Sequence, residues 1–462
     1  MLRKRRPECK GSIKSCRSPP RNKENAGRSS KLTVKSALWA RKATSMDDKK
    51  QINAWVMYDW GNSAFATTIM AAVMPIYFIS VAGGTDGSWS FTQTAAAIVV
   101  ALLSPLLGAI ADHTGRKKAF LRVFSLIGAA ASAAMAFIGP GDMWLASVLV
   151  VIGMVGFGTG NTFYDALLGD VASPAQRERV SARGYAMGYL GGGLLLAVNL
   201  GLILGWEKIG LPDSTAASQI SFVSVGVWWI VFSLPLFRRV NEAPGQAKEG
   251  TVTDHVKTGA RRLRETFGRI KRYPELMKFM LSYWFFFDGI NTIIVMAASY
   301  GTTIGIESDH LIAALLITQF VGFPASLLFG KLADKLGSKR MLYGSLVIYL
   351  IIVLLGYFMT SALHFYLLAC MVGLVQGGSQ ATSRSIFSKM IPSGRNAEFF
   401  GFLSFTSRFF SFGGPLVFGL VKLISDSSRS ALLAVAFFFV AGIVLLSFVN
   451  LAKGEREAGQ PI

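Results

Sequence analysis

The chain has 462 residues, of which 52% are hydrophobic and 16% are charged, and its formal net charge is +21. This composition excludes a water-soluble globule and is typical of a membrane protein, in which apolar runs of about twenty residues must form helices because lipid cannot hydrogen-bond the backbone. The three cysteines form no disulfide or zinc pattern, and the sequence has no GxxxxGK[ST] phosphate loop. We therefore expect no metal and no cofactor, and any uphill transport must draw on an ion gradient.

The N-terminal segment is strongly basic. Residues 1–45 are rich in Lys, Arg, Ser and Pro and hold only two acids, Glu8 and Glu24. They have no apolar core like that of a secretory signal, so we predict a disordered tail over residues 1–50. The composition would also allow a transit peptide. We favour an over-extended start site, with the true start at Met46, because Asp47, Asp48, Lys49 and Lys50 follow this methionine directly before the first apolar segment.

Apolar segments along the rest of the chain predict twelve membrane spans, numbered 1 to 12 below. We predict an all-α membrane protein with an N-terminal six-helix bundle at 51–237 and a C-terminal six-helix bundle at 277–451. A cytoplasmic linker at 238–276 joins the bundles, and residues 452–462 form a C-terminal tail. The predicted spans are 52–79, 92–112, 119–138, 143–168, 183–205, 217–237, 277–300, 310–330, 341–360, 363–388, 399–424 and 429–450.

Basic residues gather on one side of this predicted topology. The loops that follow even-numbered spans are rich in Lys and Arg, whereas the opposite loops are mostly acidic. Because Lys and Arg resist translocation, both termini and the central linker are predicted to be cytoplasmic. This topology signal and the tail account for most of the net charge, so nucleic acid is not an expected partner. The basic loop positions include 116–118, 177–183, 238–239, 335–340 and 389–395.

The central linker contains apolar residues at helical spacing with basic residues between them. This pattern predicts a basic amphipathic helix along the inner membrane face. A solvated linker helix fits the pattern equally well, and a calmodulin-type target fits it less well. The apolar positions are Val256, Ala260, Leu263, Phe267 and Ile270, and the basic ones are Arg261, Arg262, Arg264, Arg269, Lys271 and Arg272.

Two turns of the chain repeat one pattern. Span 2 ends in GAIADHTGRKK at 108–118 and span 8 in GKLADKLGSKR at 330–340, so the second copy lies 222 positions after the first. A second repeat relates Asp59 and Asn62 in span 1 to Asp288 and Asn291 in span 7, since both pairs have the form D-x-x-N. The halves are therefore parallel, pseudo-symmetric copies. Such repeats place a substrate site between the halves near the bilayer midplane.

The repeated turn resembles the loop signature of the major facilitator superfamily. Within it, YDWGNSAF at 58–65, FYDALLGDVA at 163–172, GYAMGYLGGG at 184–193 and the block at 377–402 resemble the autophagy-related vacuolar effluxer family. The resemblance covers all twelve spans and implies the major facilitator fold. It also implies export of amino acids, which is associated with the fungal vacuolar members. One position departs from the pattern, because the family more usually has Asn where this chain has Asp165.

The resemblance further implies that the repeated turns act as a gate that closes the cytoplasmic side in the outward-facing state. We interpret their polar and glycine residues as gating elements rather than as substrate ligands. These residues are Gly108, Asp112, Gly115, Arg116, Lys117 and Lys118 in the first copy, and Gly330, Asp334, Gly337, Lys339 and Arg340 in the second.

A few ionisable residues lie inside the predicted spans, where each charge costs roughly 2.5 to 3.5 kcal/mol on the insertion scale. They are Asp59, Asp165, Asp288, Arg384 and Arg408. By resemblance, spans 1, 4, 7 and 10 line the central cavity, and these spans hold all of the charges except Arg408. An arginine could bind the carboxylate of a zwitterion while Asp59 or Asp165 binds its ammonium.

Other roles for these residues stay open at this point. Any of the three acids could instead carry a coupling proton. Asp165 and Arg384 could simply form a salt bridge between the halves that closes the gate. Asn62, Asn161 and Asn291 could supply neutral hydrogen bonds in the cavity or join neighbouring helices. Which acid performs which task is not decided by the sequence.

These observations predict a secondary active transporter that moves a small solute, with amino acids as the leading class, by alternating access and with proton coupling as one option. The alternatives are a non-transporting sensor or scaffold with the same fold, or a facilitator for a different solute. An enzyme is not expected, because no nucleophile–base or metal-ligand cluster is visible. We expect a monomer in the lipid bilayer, with a bacterial-type plasma membrane favoured over an organelle or vacuolar membrane.

Overall fold

The computed structural model describes residues 46–243, 252–411 and 413–459. The predicted basic tail and the question of the true start concern mostly residues outside these ranges. Within them, twelve helices are long and apolar enough to cross a membrane. They run Lys49–Ser80, Gly87–Thr114, Lys117–Phe137, Met143–Val171, Arg177–Leu204, Ser214–Arg239, Pro274–Ala297, His310–Leu336, Ser338–Tyr357, Ala362–Met390, Asn396–Ser425 and Ser428–Ser447. The prediction of an all-α protein with twelve spans is confirmed.

The two repeated turns have related backbone geometry. Span 2 ends at Gly115, whose φ is +66°, and span 8 ends at Gly337, whose φ is +91°. L-residues rarely adopt positive φ, so glycine allows the chain to reverse sharply into the next span. We call the end of the bundle that carries these two turns the basic end.

The two halves meet along matched pairs of helices. Span 2 of the N-terminal half packs against span 11, and span 8 of the C-terminal half packs against span 5. Two glycines from the repeated turns lie at these contacts. A methyl group on Gly108 would lie 2.2 Å from the carbonyl oxygen of Ala397, and one on Gly330 would lie 2.6 Å from Cβ of Ala182. The absence of a side chain at both positions therefore allows the backbones to approach.

Within the described residues, two further α-helices lie outside the spans. The linker contains the helix Val252–Arg269, which packs against span 2, with Gly259 close to Ile110. Ala260, predicted on the apolar face, is exposed, because the contact with span 2 is centred on Gly259 instead. The predicted C-terminal tail contains the helix Leu451–Ala458, whose preceding residue Asn450 donates its backbone N–H to Glu275 over 2.8 Å.

Candidate functional site

Arg384 of span 10 is the centre of the polar contacts between the halves. Its side chain is 5% exposed, and its Nη1 donates to Oδ1 of Asp165 in span 4 over 2.9 Å. Its Nε donates to the hydroxyl of Ser181 in span 5, and its Nη2 donates to the carbonyl oxygen of the same residue, each over 2.9 Å. The guanidinium of the C-terminal half is thus held by two helices of the N-terminal half.

Three aromatic rings surround the same guanidinium, and we call Trp55, Tyr164 and Tyr185 the aromatic box. The Cζ atom of Arg384 lies 4.9, 5.4 and 4.4 Å from the centroids of these three rings, in that order. Trp55 stacks on Tyr164 with a centroid distance of 4.3 Å. The faces of aromatic rings attract cations, most strongly where water is excluded. The box is therefore a cation site built from spans 1, 4 and 5.

Asp59 of span 1 lies next to the box. Its Oδ2 accepts a hydrogen bond from the hydroxyl of Tyr164 over 3.2 Å, and its Oδ1 accepts one from Ser63 over 3.3 Å. A methyl group on Gly188 of span 5 would lie 3.1 Å from Oδ1 of Asp59. The small residue in span 5 thus leaves room for a carboxylate within the helix interface.

Asp165 differs from its arginine partner in its exposure. Its side chain is 27% exposed, whereas that of Arg384 is 5% exposed, although both lie on membrane spans. Because Asp165 forms this ion pair with the other half, its carboxylate lies at the contact between the halves. An ionisable residue inside a membrane span, paired with another span, is a candidate for a functional role.

The three predicted asparagines have different surroundings. Asn62 donates its side-chain amide to Oδ1 of Asn161 over 2.6 Å, which joins spans 1 and 4. Asn161 remains half-buried, whereas Asn62 is buried. Asn291 is half-buried in span 7. The first pair acts as a contact between helices, one of the two roles that the sequence leaves open.

Asp288, the repeat partner of Asp59, lies in a different setting. Its Oδ2 accepts a hydrogen bond from the backbone N–H of Gly414 over 2.7 Å, where the second part of span 11, Gly413–Ser425, begins. Its Oδ1 is buried and has no hydrogen-bond partner among the described residues. Asp288 therefore caps a helix inside the C-terminal half.

Arg408 of span 11 is the second cation facing the opposite half. It is half-buried, and a methyl group on Gly158 of span 4 would lie 2.5 Å from its Nη2 atom. In the described part of the chain, the guanidinium has no ion pair or hydrogen bond. It lies against span 4 about two helical turns from Asp165, because Gly158 and Asp165 are seven residues apart.

The repeated acids each contact the beginning of a helix in the opposite half. Asp112 is buried, and its Oδ2 accepts the backbone N–H of Glu398 at the start of span 11 over 2.8 Å. Asp334 forms an ion pair with Arg179, at the start of span 5, with an N–O distance of 2.8 Å. Spans 5 and 11 are equivalent in the two halves, so the two contacts are related by the pseudo-symmetry.

The basic residues after these acids are less symmetric. Lys117 is buried and forms ion pairs with Asp170 and, at 3.9 Å, with Asp112. Its repeat partner Lys339 donates instead to the carbonyl oxygens of Ser447 and Val449, over 3.1 and 2.6 Å. The reason is in the sequence, because spans 4 and 10 end at Val171 and Met390, which places the basic residue Lys389 at the position equivalent to Asp170.

The last members of the two turns lie at the surface or contact the linker. Arg116 and Arg340 are exposed. Lys118 donates its Nζ to the carbonyl oxygen of Val240 and its backbone N–H to Glu242, both over 2.8 Å. Burial raises the pKa of Glu242, an effect that the hydrogen bond from Lys118 opposes. These contacts attach the start of the linker to the first turn.

Further bonds between the halves lie at the basic end. Glu178 of span 5 accepts a hydrogen bond from Ser338 over 2.7 Å and lies 4.0 Å from Lys389. Arg177 donates to the carbonyl oxygen of Ser388 over 2.7 Å, and Ser181 donates to that of Ala381 over 2.9 Å. The basic end of the bundle is closed in this structure. No group of three or more His, Cys, Asp or Glu within the described ranges is placed to hold a metal ion.

The comparisons with known proteins agree with this architecture. The family described as "Vacuole effluxer Atg22 like" matches residues 85–459. The chain belongs to the Atg22-like vacuole effluxer family. A Bacillus subtilis relative named "Uncharacterized MFS-type transporter YxiO" is 39% identical over 87% of this chain and 95% of its own length. This Atg22-like protein is therefore a multi-pass membrane transporter of the major facilitator type, and it handles a small-molecule solute rather than acting as an enzyme.

Solved structures show the same fold. The human organic anion transporter MFSD10 (TETRAN) matches with a TM-score of 0.66 at 15% identity, over 87% of this chain and 99% of that chain. The proton:xylose symporter XylE, of the major facilitator superfamily, matches with a TM-score of 0.61 at 16% identity, over 87% of this chain and 94% of that chain. The predicted major facilitator fold of two six-helix bundles is confirmed.

Several residues of the site in this Atg22-like transporter were not singled out from the sequence. They are the three rings of the aromatic box, Ser181, Glu178 and Asp170. Tyr164 and Asp170 do lie in the block at 163–172, and Tyr185 lies in the block at 184–193, both of which carry the family resemblance. Aromatic residues are common in membrane spans, so position within those blocks was the only available signal.

Proposed function

We propose that this Atg22-like transporter exports amino acids by alternating access, driven by exchange with protons. The observation that carries the proposal is the ion pair of Arg384 with Asp165 between the halves, with the second carboxylate of Asp59 joined to it through Tyr164. Charged groups inside membrane spans are expensive to maintain. A sensor or scaffold would gain stability from apolar residues at these positions, so their presence favours transport.

The two ends of an amino acid have suitable partners here. Arg408 faces span 4 without an ion pair among the described residues, and it can bind a carboxylate in the bidentate geometry that guanidinium groups favour. The side chain of Asp165 is 27% exposed, and its carboxylate can bind an ammonium group. Arg408 contacts span 4 at Gly158 and Asp165 belongs to the same span, so a solute whose charged groups are far enough apart reaches both.

Asp59 is the proposed proton carrier. Its carboxylate accepts hydrogen bonds from Tyr164 and Ser63, both neutral hydroxyls. The ring of Tyr164 also contacts Arg384, a cation that belongs to the other half. When the halves separate at the basic end, this cation moves away from Asp59. A buried carboxylate that loses its countercharge favours proton uptake, which links the proton to the conformational change.

The proposal includes the orientation of the protein. Lys and Arg accumulate at the basic end, so we place this end, both termini and the linker in the cytoplasm. The closed basic end then excludes an inward-facing arrangement. We also propose the domain boundaries given by the sequence, a monomeric protein and a bacterial-type plasma membrane, which the similarity to the Bacillus subtilis relative supports.

Flux measurements in proteoliposomes test the function. Purified protein is reconstituted with an imposed proton gradient, and a panel of radiolabelled amino acids is compared with amines and monocarboxylates of similar size. We expect flux for amino acids, with losses of more than about tenfold in Asp165→Asn and Arg408→Gln and of the proton dependence in Asp59→Asn. Asp142→Asn is the matched control, because this acid lies in a loop between spans 3 and 4.

The outcomes separate the alternatives. Flux of a solute that lacks one of the two charged groups, at the same rate as amino acids, would identify a facilitator or a carrier for another class. No flux of any solute under a proton or sodium gradient would favour a scaffold or sensor. Flux that Asp59→Asn leaves fully dependent on the proton gradient would remove Asp59 from the coupling step.

A further inference from the structure

The aromatic box and its acids belong to one half of the protein, whereas the cation they hold belongs to the other. Trp55, Tyr164 and Tyr185 come from spans 1, 4 and 5, as do Asp165 and Ser181. Arg384 comes from span 10. When the halves separate at the basic end, Arg384 must leave with its own helix. The N-terminal half then retains a cation site with no cation in it.

We propose that the aromatic box with Asp165 is the binding site for the cationic group of the transported solute, and that Arg384 occupies this site while the basic end is closed. The inference rests on the proposed function and goes further, since it names the chemical group of the solute that is recognised. It also states that the side chain of Arg384 occupies the position of this group when no solute is bound. The solute and Arg384 then compete for one site, so binding of the solute releases the contact that joins the halves.

The construction of the box supports a planar cation. The guanidinium lies 4.4 to 5.4 Å from three ring centroids and donates three hydrogen bonds, to Asp165 and to two oxygen atoms of Ser181. Gly184 forms part of the wall, because a methyl group there would lie 3.1 Å from Nη2 of Arg384. Each of the three nitrogen atoms of the guanidinium thus donates one hydrogen bond to the N-terminal half. The same oxygen atoms can accept hydrogen bonds from the guanidinium of a solute.

The position of Arg408 restricts the class of solute that can bind. Arg408, the proposed carboxylate partner, contacts span 4 at Gly158, and Asp165 lies seven residues further along the same span. Seven residues correspond to a helical rise of roughly 10 Å. The α-ammonium of a neutral amino acid is attached next to its carboxylate and does not bridge this separation. A basic amino acid such as arginine carries its second cation at the end of a long side chain, so it reaches both groups.

The first test removes the side chain of Arg384 and asks whether a free guanidinium compound binds in the aromatic box. Arg384→Ala protein in nanodiscs is titrated with methylguanidinium, and methylurea serves as the neutral probe of the same shape. We expect methylguanidinium to raise the Tm of Arg384→Ala by several degrees more than that of the wild type, and methylurea to leave both unchanged. Adding Trp55→Leu to Arg384→Ala should abolish the difference. Equal effects of the two probes, or no effect of either on folded Arg384→Ala protein, would overturn the proposal.

The second test keeps Arg384 in place, so it does not depend on the folding of that variant. Ser388 is buried at the basic end and is replaced by cysteine in a background where the three native cysteines are serine. We expect arginine to increase the rate of maleimide labelling of this cysteine at least several-fold, and citrulline, which has a neutral ureido group instead, to leave it unchanged. Acceleration by both compounds alike would contradict a site that requires the side-chain cation.

The two proposals fail in different ways. If arginine accelerates labelling but no solute crosses the membrane in proteoliposomes, the cation site stands and the transport proposal fails. If neutral amino acids are transported as fast as arginine, and citrulline acts like arginine on the labelling, the transport proposal stands and the assignment of the box fails.

Discussion

Gly108 lies so close to Ala397 that a methyl group on the glycine would be 2.2 Å from the carbonyl oxygen of the alanine. The two residues belong to spans 2 and 11, and their contact is one of the places where the halves touch. The equivalent contact of Gly330 with Ala182 joins spans 8 and 5. Closure of the basic end therefore depends on the absence of side chains at two positions related by the internal repeat.

This contact predicts the effect of Gly108→Ala. The added methyl group must push spans 2 and 11 apart, and overpacking of this kind costs roughly 1 to 3 kcal/mol. We expect slower flux and a higher rate of labelling at Ser388→Cys, because the basic end closes less completely. Gly344→Ala is the matched control, since no atom lies within 4 Å of a methyl group built there. The same behaviour in both variants would show that the contact of Gly108 does not control closure.

We expect substitutions of the two repeat-related lysines to differ in their effect on stability. Lys117→Met leaves the carboxylates of Asp112 and Asp170 buried without their cation, which costs roughly 3 to 5 kcal/mol. Lys339→Met leaves no buried acid unpaired and removes two hydrogen bonds to backbone carbonyls, worth about 1 kcal/mol each, and a cation–π contact with Tyr343, worth about 0.5 to 1 kcal/mol. We expect a much larger fall in Tm for Lys117→Met, measured by thermal unfolding in detergent. Adding Asp170→Asn should restore part of the loss, and no recovery would speak against the ion-pair explanation.

The two repeated acids predict unequal effects on the gate. Asp112 is buried and accepts a backbone N–H of span 11, whereas Asp334 is 27% exposed and its partner Arg179 is 57% exposed. Exposed ion pairs contribute about 0 to 1 kcal/mol, and a buried N–H that loses its acceptor costs about 1 to 3 kcal/mol. Asp112→Ala should therefore increase maleimide labelling at the basic end more than Asp334→Ala does. Only the Asp334→Ala effect should shrink at high salt, and a salt-sensitive Asp112→Ala effect would contradict this account.

We expect two substitutions of Asp288 to differ in their effect on stability. Its Oδ2 caps the helix that begins at Gly413, and the side chain of Asn can accept the same hydrogen bond from Gly414. Asp288→Asn should keep the Tm close to that of the wild type, whereas Asp288→Ala should lose about 0.5 to 2 kcal/mol of stability. Equal losses in both variants would indicate that the charge, and not the cap, stabilises this part of span 11.

The positions of the spans and of the repeat were readable from the sequence. The predicted span at 143–168 corresponds to Met143–Val171, and the predicted span at 363–388 to Ala362–Met390. Such agreement is possible because the length of an apolar segment is a local property that lipid selects directly. The repeat is readable because its two copies keep the same residues at the same spacing, and it shows that Gly108 and Gly330 are equivalent positions.

The partners of the ionisable groups were not readable in this way. Asp59 and Asp288 have the same D-x-x-N pattern, yet one lies beside the aromatic box and the other caps a helix in its own half. The sequence presented them as equivalents. Their surroundings differ because the neighbouring helices supply different groups, namely Tyr164 in one case and the interrupted span 11 in the other.

By itself, the sequence of this protein determined the twelve spans, their division into two copies and the few charges that had to lie within the membrane. The tertiary structure alone decided that Arg384 enters an aromatic box of the opposite half and meets Asp165, from which it is separated by 219 positions in the chain. Hydrophobicity acts on each segment separately, so it can be read along the chain. Contacts of this kind exist only after the two halves pack against each other, and they disappear when the halves separate.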